Sequence, residues 1–304
     1  MTVETMSKYH VPVMLSECLE GLNLRSDGTY VDVTFGGGGH SYPILDKIPD
    51  GKLIAFDQDN DARELAIDYP NLIFVNHNFQ FISNFLKYFE VPKVDGLLAD
   101  LGVSSHQINE GERGFSFRYD ADLDMRMNQE QALDAYEIVN TYSAEELSKL
   151  FKTYGEIRYA WKLANKIVAV RQGKPIATTG DLAAIAEEFT IPKQRNKELA
   201  QLFQALRIEV NDELGVLKSL LTKSLECLAP GGRLVVMSYH SLEDRLVKTF
   251  MQSGNFEGKI ETDAFGRSLQ PFKLITRKPI TASEEELVSN PRSRSAKLRI
   301  AEKL

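Results

Sequence analysis

The chain has 304 residues, of which 43% are hydrophobic and 26% charged, with a net charge of −7. These proportions fit a globular protein of one or two domains and exclude a disordered, collagen-like or repeat-array chain. No apolar run reaches the roughly 18 residues of a membrane span, Met1–Thr5 lack the features of an export signal, and Cys18 and Cys227 make neither a disulfide framework nor a zinc-ligand spacing, so we expect a cytoplasmic protein with no membrane anchor and no required metal.

Thr29–Phe35 is β-branched and aromatic and runs into glycines, the mark of a first strand. Lys52–Asp57, Leu72–Val75 and Val94–Asp100 are three further short apolar runs separated by helix-length segments. That pattern predicts a parallel sheet buried on both faces, with the loops after the strands gathered on one edge, where open α/β sheets bind ligands. Residues 102–128 are rich in glycine, arginine and aspartate and show no period. From about 134 to 228 the chain reads as helical. Ser143-Ala144-Glu145-Glu146 is a capping box. Ile157, Ala160, Trp161, Ala164, Ile167 and Val168 follow the helical period, with Arg158, Lys162 and Lys166 at i, i+4 and i+8 opposite them. Leu199, Leu202, Phe203, Leu206, Val210, Leu214, Leu217, Leu221 and Leu225 form one longer stripe. A turn at Ala229–Gly232 then leads into a fifth strand, Arg233–Ser238. Asn290–Ile300 combines Arg292 and Arg294 with a strand-like pattern and is expected to close the sheet edge. The organisation predicted is an α/β domain, residues 1–108 with 209–304, carrying an inserted, mostly helical substrate-recognition domain over 109–208.

Charge is unevenly distributed along the chain. Residues 1–148 hold 10 basic and 25 acidic side chains, residues 149–210 hold 11 and 6, and residues 267–304 hold 9 and 4. Local patches rather than the total govern affinity for nucleic acid. The two basic segments are therefore candidate nucleic-acid contacts, a solvated surface being the alternative.

Four positions carry chemistry. Asp32–His40 contains four consecutive glycines after the first strand, which allow a ligand close to the backbone. Asp57 ends the second strand, where an acid accepts hydrogen bonds from ribose hydroxyls. Together they point to a nucleoside cofactor. Ser41 breaks the G-x-G-x-x-G dinucleotide pattern and a Walker lysine is missing. Asp32 would repel a pyrophosphate and suit a cofactor with an ammonium group, such as S-adenosylmethionine; a simple tight turn is the alternative. Asp100, after the fourth strand, either accepts a hydrogen bond from an amine nucleophile or caps the next turn. His240, after the fifth, is a candidate for substrate positioning or proton transfer, against a purely structural role. Phe115 and Phe117 either stack on bases or anchor their loop in the core.

The sequence resembles the bacterial RsmH (MraW) family through Tyr9–Met14, Thr34–Ser41, Asp100–Ser105, Arg113–Phe117, Leu123–Met127, Tyr154–Glu156, Phe203–Ile208, Ser238–Arg245 and Asn290–Arg294, in order over nearly the whole chain. The resemblance implies a class I (Rossmann-like) S-adenosylmethionine-dependent methyltransferase with an inserted helical domain. It implies action on the N4 amino group of the cytidine at position 1402 of 16S rRNA, in the decoding centre of the 30S subunit. It also implies that Gly38, Gly39, His40, Asp57, Phe79, Asp100 and Gln107 bind the cofactor, Phe79 beside the adenine. Ile157 stands where the family commonly has a second acid, and Asn196–Gln201 lacks the His-Pro and Thr-Arg often found there; both departures concern RNA contact. The runners-up are a DNA amino-methyltransferase and a non-catalytic assembly factor. Asp100-Leu101-Gly102-Val103 in place of a Pro-Pro-Tyr-type tetrapeptide argues against the first, and the glycine loop with Asp57 against the second.

Overall fold

The computed structural model describes residues 12–66, 69–103 and 111–304. The chain divides into two compact units, residues 1–102 with 214–304 and residues 103–213. The first contains a seven-stranded sheet: β1 (Thr29–Asp32), β2 (Lys52–Asp57), β3 (Leu72–Asn76), β4 (Val94–Asp100), β5 (Leu228–Ser238), β6 (Phe272–Leu274) and β7 (Lys297–Lys303). Their spatial order is β3-β2-β1-β4-β5-β7-β6, with β7 antiparallel to both neighbours. This is the class I, Rossmann-like arrangement. The helices in chain order are α1 (Leu15–Leu22), α2 (Ser41–Lys47), α3 (Asn60–Leu65), α4 (Ile82–Tyr88), α5 (Ala135–Thr141), α6 (Ala144–Gly155), α7 (Ala160–Arg171), α8 (Thr179–Glu187), α9 (Arg195–Asn211), α10 (Glu213–Cys227), α11 (Ser241–Ser253) and α12 (Glu284–Ser289). Among the described residues no helix is long and apolar enough to cross a membrane.

The sheet is buried on both faces because successive side chains of a strand point to opposite sides. Val31, Leu97, Leu234 and Val236 enter one core with Leu86 of α4, Leu220 of α10 and Phe250 of α11. Their neighbours Tyr30, Leu98, Val235 and Met237 enter another with Cys18 and Leu22 of α1 and Ile44 of α2. β1 ends at Asp32, earlier than its composition suggests, because the chain leaves it by alternating partners: Val33 N–H donates to Leu98 O of β4 and Phe35 N–H to Phe56 O of β2. The C-terminal segment does not close the edge. β7 lies between β5 and β6, and the three-residue β6, too short for a periodic signal, takes the outer place.

Helices α5–α9 lie in the second unit and enclose their own core, including Leu147, Phe151, Leu163, Ile167, Leu182, Leu202 and Leu206. The capping box of α6 is formed: Glu146 N–H donates to Ser143 Oγ (3.2 Å) and Ser143 N–H to Glu146 Oε2 (2.7 Å). Two periodic readings change. The stripe from Leu199 to Leu225 is two helices, because Asp212 takes the left-handed conformation (φ 46°) and breaks it. Glu156 does the same (φ 53°) after α6, and α7 begins only at Ala160. Arg158 therefore lies in a turn rather than on one helical face with Lys162 and Lys166. The buried face of α7 is Ala160, Leu163, Ala164 and Ile167; Trp161, one position or about 100° further round, is 53% exposed rather than in the core.

The aperiodic stretch after residue 110 is bound into this second core. Gly114 (φ +72°) passes so close to Asp122 that an added Cβ would lie 2.3 Å from its carbonyl oxygen. Arg113 donates to Arg126 O (2.8 Å), and Arg126 forms two bonds to the Asp124 carboxylate (2.8 and 2.7 Å). The Phe117 ring meets Phe203 edge-on at 5.7 Å, and Phe115 packs against the same core. Both phenylalanines thus anchor the loop.

Candidate cofactor and active site

The strand order reverses between β1 and β4, so the loops leaving their carboxyl ends diverge and open a crevice. Three aspartates end the strands around it. Asp32, at the end of β1 and 1% exposed, accepts Thr34 N–H (3.0 Å), Thr34 Oγ (3.2 Å) and Ser41 Oγ (2.7 Å). Its carboxylate thus ties both ends of the glycine loop, a loop-forming role in place of the open anion read from sequence. Thr34 Oγ also accepts Asp100 N–H (2.7 Å), joining the ends of β1 and β4.

Asp57, at the end of β2, accepts Gly36 N–H at 2.8 Å and Asp59 N–H at 2.9 Å, one on each carboxylate oxygen. Burial pushes its pKa up to about 6, against the two backbone donors that pull it down. Between Asp57 and α2 the loop takes left-handed backbone at Gly36 (φ 54°) and Gly38 (φ 78°). A Cβ on Gly38 would strike the Tyr42 ring at 2.1 Å, whereas one on Gly37 would meet nothing within 4 Å. The main chain is thus open to a ligand at Gly37, with a carboxylate alongside, and the fit to a hydroxyl-bearing nucleoside is good. Phe79 follows β3 in a half-buried short turn capped by Asn78, whose amide donates to Gln58 Oε1 (2.8 Å) next to Asp57.

Asp100 ends β4. Tyr239, the residue after β5, donates its hydroxyl to Asp100 Oδ1 at 2.7 Å. His40 Nδ1 faces Asp100 Oδ2 at 3.8 Å. The opposite nitrogen, Nε2, lies 3.0 Å from Val13 O, and only an N–H satisfies a carbonyl, so Nε2 carries a proton. Burial raises the Asp100 pKa to about 6; His40 and the Tyr239 hydroxyl pull it down. The Tyr239 phenol is pushed far above its ordinary range by burial and the adjacent carboxylate, so it remains a donor.

His240 is fixed by a structural duty. It is the N-cap of α11: its Nδ1 accepts Glu243 N–H (3.4 Å), while Glu243 Oε2 accepts the backbone N–H groups of Tyr239 (2.9 Å) and His240 (3.3 Å). Its Nε2 is 3.3 Å from Glu243 Oε1 but poorly aligned for a hydrogen bond. The imidazole is thus held rigidly, at the same sheet edge as the aspartates. Because β7 is antiparallel and pairs Lys297 with Ser238, the short helix Pro291–Ser295 carrying Arg292 and Arg294 enters the sheet at this edge too.

Gly38, Gly39, His40, Asp57, Phe79, Asp100 and His240 therefore all lie on the first unit, at the carboxyl ends of the strands or in the loops that follow them. Gln107, like Tyr9–Val11, lies outside the described residues. Lys162, Lys166 and Arg158 belong to the second unit; Lys166 pairs with Glu188 at 2.9 Å. Sequence reading missed Thr34 and Tyr239 as partners of Asp100. Both stand inside the motifs noted, but no spacing rule links residues 66 and 139 positions apart.

The model of the MraW methylase family matches residues 7–304. The chain belongs to the MraW methylase family. Among its relatives, the protein named ribosomal RNA small subunit methyltransferase H from Amoebophilus asiaticus is 56% identical, covering 99% of this chain and 97% of the relative. Its namesake from Parabacteroides distasonis is 55% identical over 99% of each. The solved structure of an rRNA methylase from Streptococcus thermophilus aligns over 95% of this chain and 93% of its own at 12% identity, with a TM-score of 0.39. As a member of the MraW methylase family the chain is an S-adenosylmethionine-dependent methyltransferase, and the carboxylates and glycine loop form a site that fits this cofactor.

Proposed function

We propose that this MraW-family methylase, in the cytoplasm, methylates the N4 amino group of the cytidine at position 1402 of 16S rRNA within the 30S subunit. The observation that carries the reading is the convergence, at one switch point, of an open glycine loop, Asp57 beside it and Asp100 with its two ring partners. The names of relatives 56% and 55% identical support rRNA of the small subunit as substrate.

S-adenosylmethionine supplies an electrophilic sulfonium methyl group. The residues that would hold it are Asp57 at the ribose hydroxyls, the Gly38–His40 backbone, Phe79 at the adenine, Asp100 and Gln107. The cytosine amine is a weak nucleophile, since its lone pair is delocalised into the ring. In-line positioning then supplies much of the rate, together with an acceptor that polarises the N–H bonds as positive charge grows on nitrogen. Asp100 and His240 are the candidate catalytic residues. Asp100 is the acceptor and serves mainly the cofactor. His240, whose Nδ1 accepts the Glu243 N–H and whose Nε2 therefore carries the proton, positions the substrate as a donor. The cytidine must be splayed from its neighbours before reaction, at a cost of a few kcal/mol. The second unit, with Arg158, Lys162 and Lys166, recognises the RNA, and Arg292 and Arg294 add contacts at the sheet edge.

Mass mapping of modified nucleosides in 16S rRNA from cells with and without the gene tests the reading. Loss of one methyl group at that cytidine is expected. Unchanged modification there overturns the assignment.

A further inference from the structure

The chain has a single tryptophan. Apolar periodicity assigns Trp161 to the core, yet it is 53% exposed while its helical neighbours Ala160, Leu163 and Ala164 are at most 3% exposed. Among the described residues no aromatic ring packs against the indole. Lys162 and Asn165, which share its side of α7, are exposed, and so is Arg158 in the turn leading into the helix. Asn165 turns inward to donate to Trp161 O (2.8 Å), so its side chain follows the helix backbone. Lys166, further round, is neutralised by Glu188. Among the described residues neither Arg158 nor Lys162 has an ion-pair partner. A large ring is thus displayed where burial gives it nothing, between two uncompensated cations.

We propose that Trp161 is a stacking platform for an unpaired nucleobase of the RNA substrate, with Arg158 and Lys162 neutralising the adjacent phosphates. The inference rests on the proposed rRNA function and adds a contact to it. An indole offers a π-face to any base, and such stacking needs no sequence-specific hydrogen bonds. Flanking cations draw in the backbone and make binding salt-dependent. The charge argues for nucleic acid over an apolar protein surface: residues 149–210, which include α7, carry 11 basic and 6 acidic side chains.

Because there is one tryptophan, its fluorescence reports on this site alone. The full-length enzyme is titrated with a single-stranded oligoribonucleotide of mixed sequence, and binding is followed independently by filter retention. Saturable, salt-sensitive quenching in step with retention is expected. In parallel, methyl transfer to unmethylated small subunits is measured for Trp161→Ala and Trp161→Phe. The alanine variant should raise KM for subunits about tenfold, the size of one base–aromatic stack, with kcat at saturation and cofactor affinity unchanged. The phenylalanine variant should recover most of the loss. Retention without quenching, or wild-type KM in Trp161→Ala, overturns the proposal. So does quenching by ribosomal proteins but not by RNA. Absence of methyl transfer to rRNA by the wild-type enzyme would instead sink the functional reading, so the two failures are distinguishable.

Discussion

Burial raises the pKa of both Asp57 and Asp100 to about 6, and each gives a prediction. Asp57→Ala should weaken S-adenosylmethionine binding by about 1.5–3 kcal/mol, the worth of a charge-assisted hydrogen bond. It also frees Gly36 N–H, so a circular dichroism spectrum should accompany the calorimetric titration; unchanged affinity removes the ribose assignment. Both carboxyls sit near pKa 6 instead of 3.8, and a ligand with hydroxyl donors and a cation favours their ionised forms. Lowering the pH from 7 to 5 protonates them and should weaken cofactor binding, with protons released on binding near pH 6. Calorimetry in buffers of different ionisation enthalpy reads that release directly. Tyr239→Phe removes a donor that stabilises the Asp100 carboxylate. The Asp100 pKa should rise further, moving the acid limb of the activity profile to higher pH; an unmoved limb would show that the hydroxyl does not tune this group. Asp100→Asn keeps size and removes charge. We expect weaker cofactor binding with a modest loss of kcat, whereas a kcat loss of about 10²–10³ at unchanged affinity would assign Asp100 to the transition state.

Strand ends and the loops after them hold the cofactor-site residues, and hydrogen bonds to backbone groups, together with apolar anchors in the second unit, hold the loops. The glycine loop is closed by Asp32 on Thr34 and Ser41. In the second unit Asn211, 7% exposed, performs the equivalent task for the stretch around Met125: its Oδ1 accepts Met127 N–H (2.8 Å) and its amide donates to Met125 O (2.8 Å) and Arg207 O (2.9 Å). Asn211→Ala should cost about 1–3 kcal/mol through polar groups left without partners. This would appear as a lower Tm of the second unit, while cofactor affinity stays as it was. These ties were invisible to periodicity. The stretch 102–128 has no repeat, and its Phe115 and Phe117 read either as base-stacking residues or as anchors of the loop. What separates the readings is the placement of Phe117 on Phe203 and Gly114 against Asp122.

The basic side chains of the second unit are concentrated in residues 149–210, which hold 11 basic and 6 acidic residues. If the second unit binds RNA, replacing Arg158, Lys162 and Lys166 together by alanine should raise KM for small subunits and flatten its salt dependence. Most of the effect should come from the first two, since Lys166 is engaged by Glu188. Wild-type kinetics and salt slope in the triple variant would reduce this surface to a solvated face. The strands of the parallel sheet, the glycine loop, the acid at the end of β2 and the helical interruption were all legible from sequence. Each follows from a short-range rule: period two, period 3.6, left-handed backbone for glycine, or a carboxylate at a strand end. Tertiary structure alone decided that Tyr239 meets Asp100, that His40 reaches Val13, that Asp32 faces its own loop, and that β6 rather than β7 takes the edge. It also decided that the chain breaks at Glu156 and Asp212, where single left-handed residues end helices whose apolar pattern continues. A hydrophobic period records which faces can be buried. Where a helix turns away, and which distant strand end lies beside another, is set by packing of the whole chain.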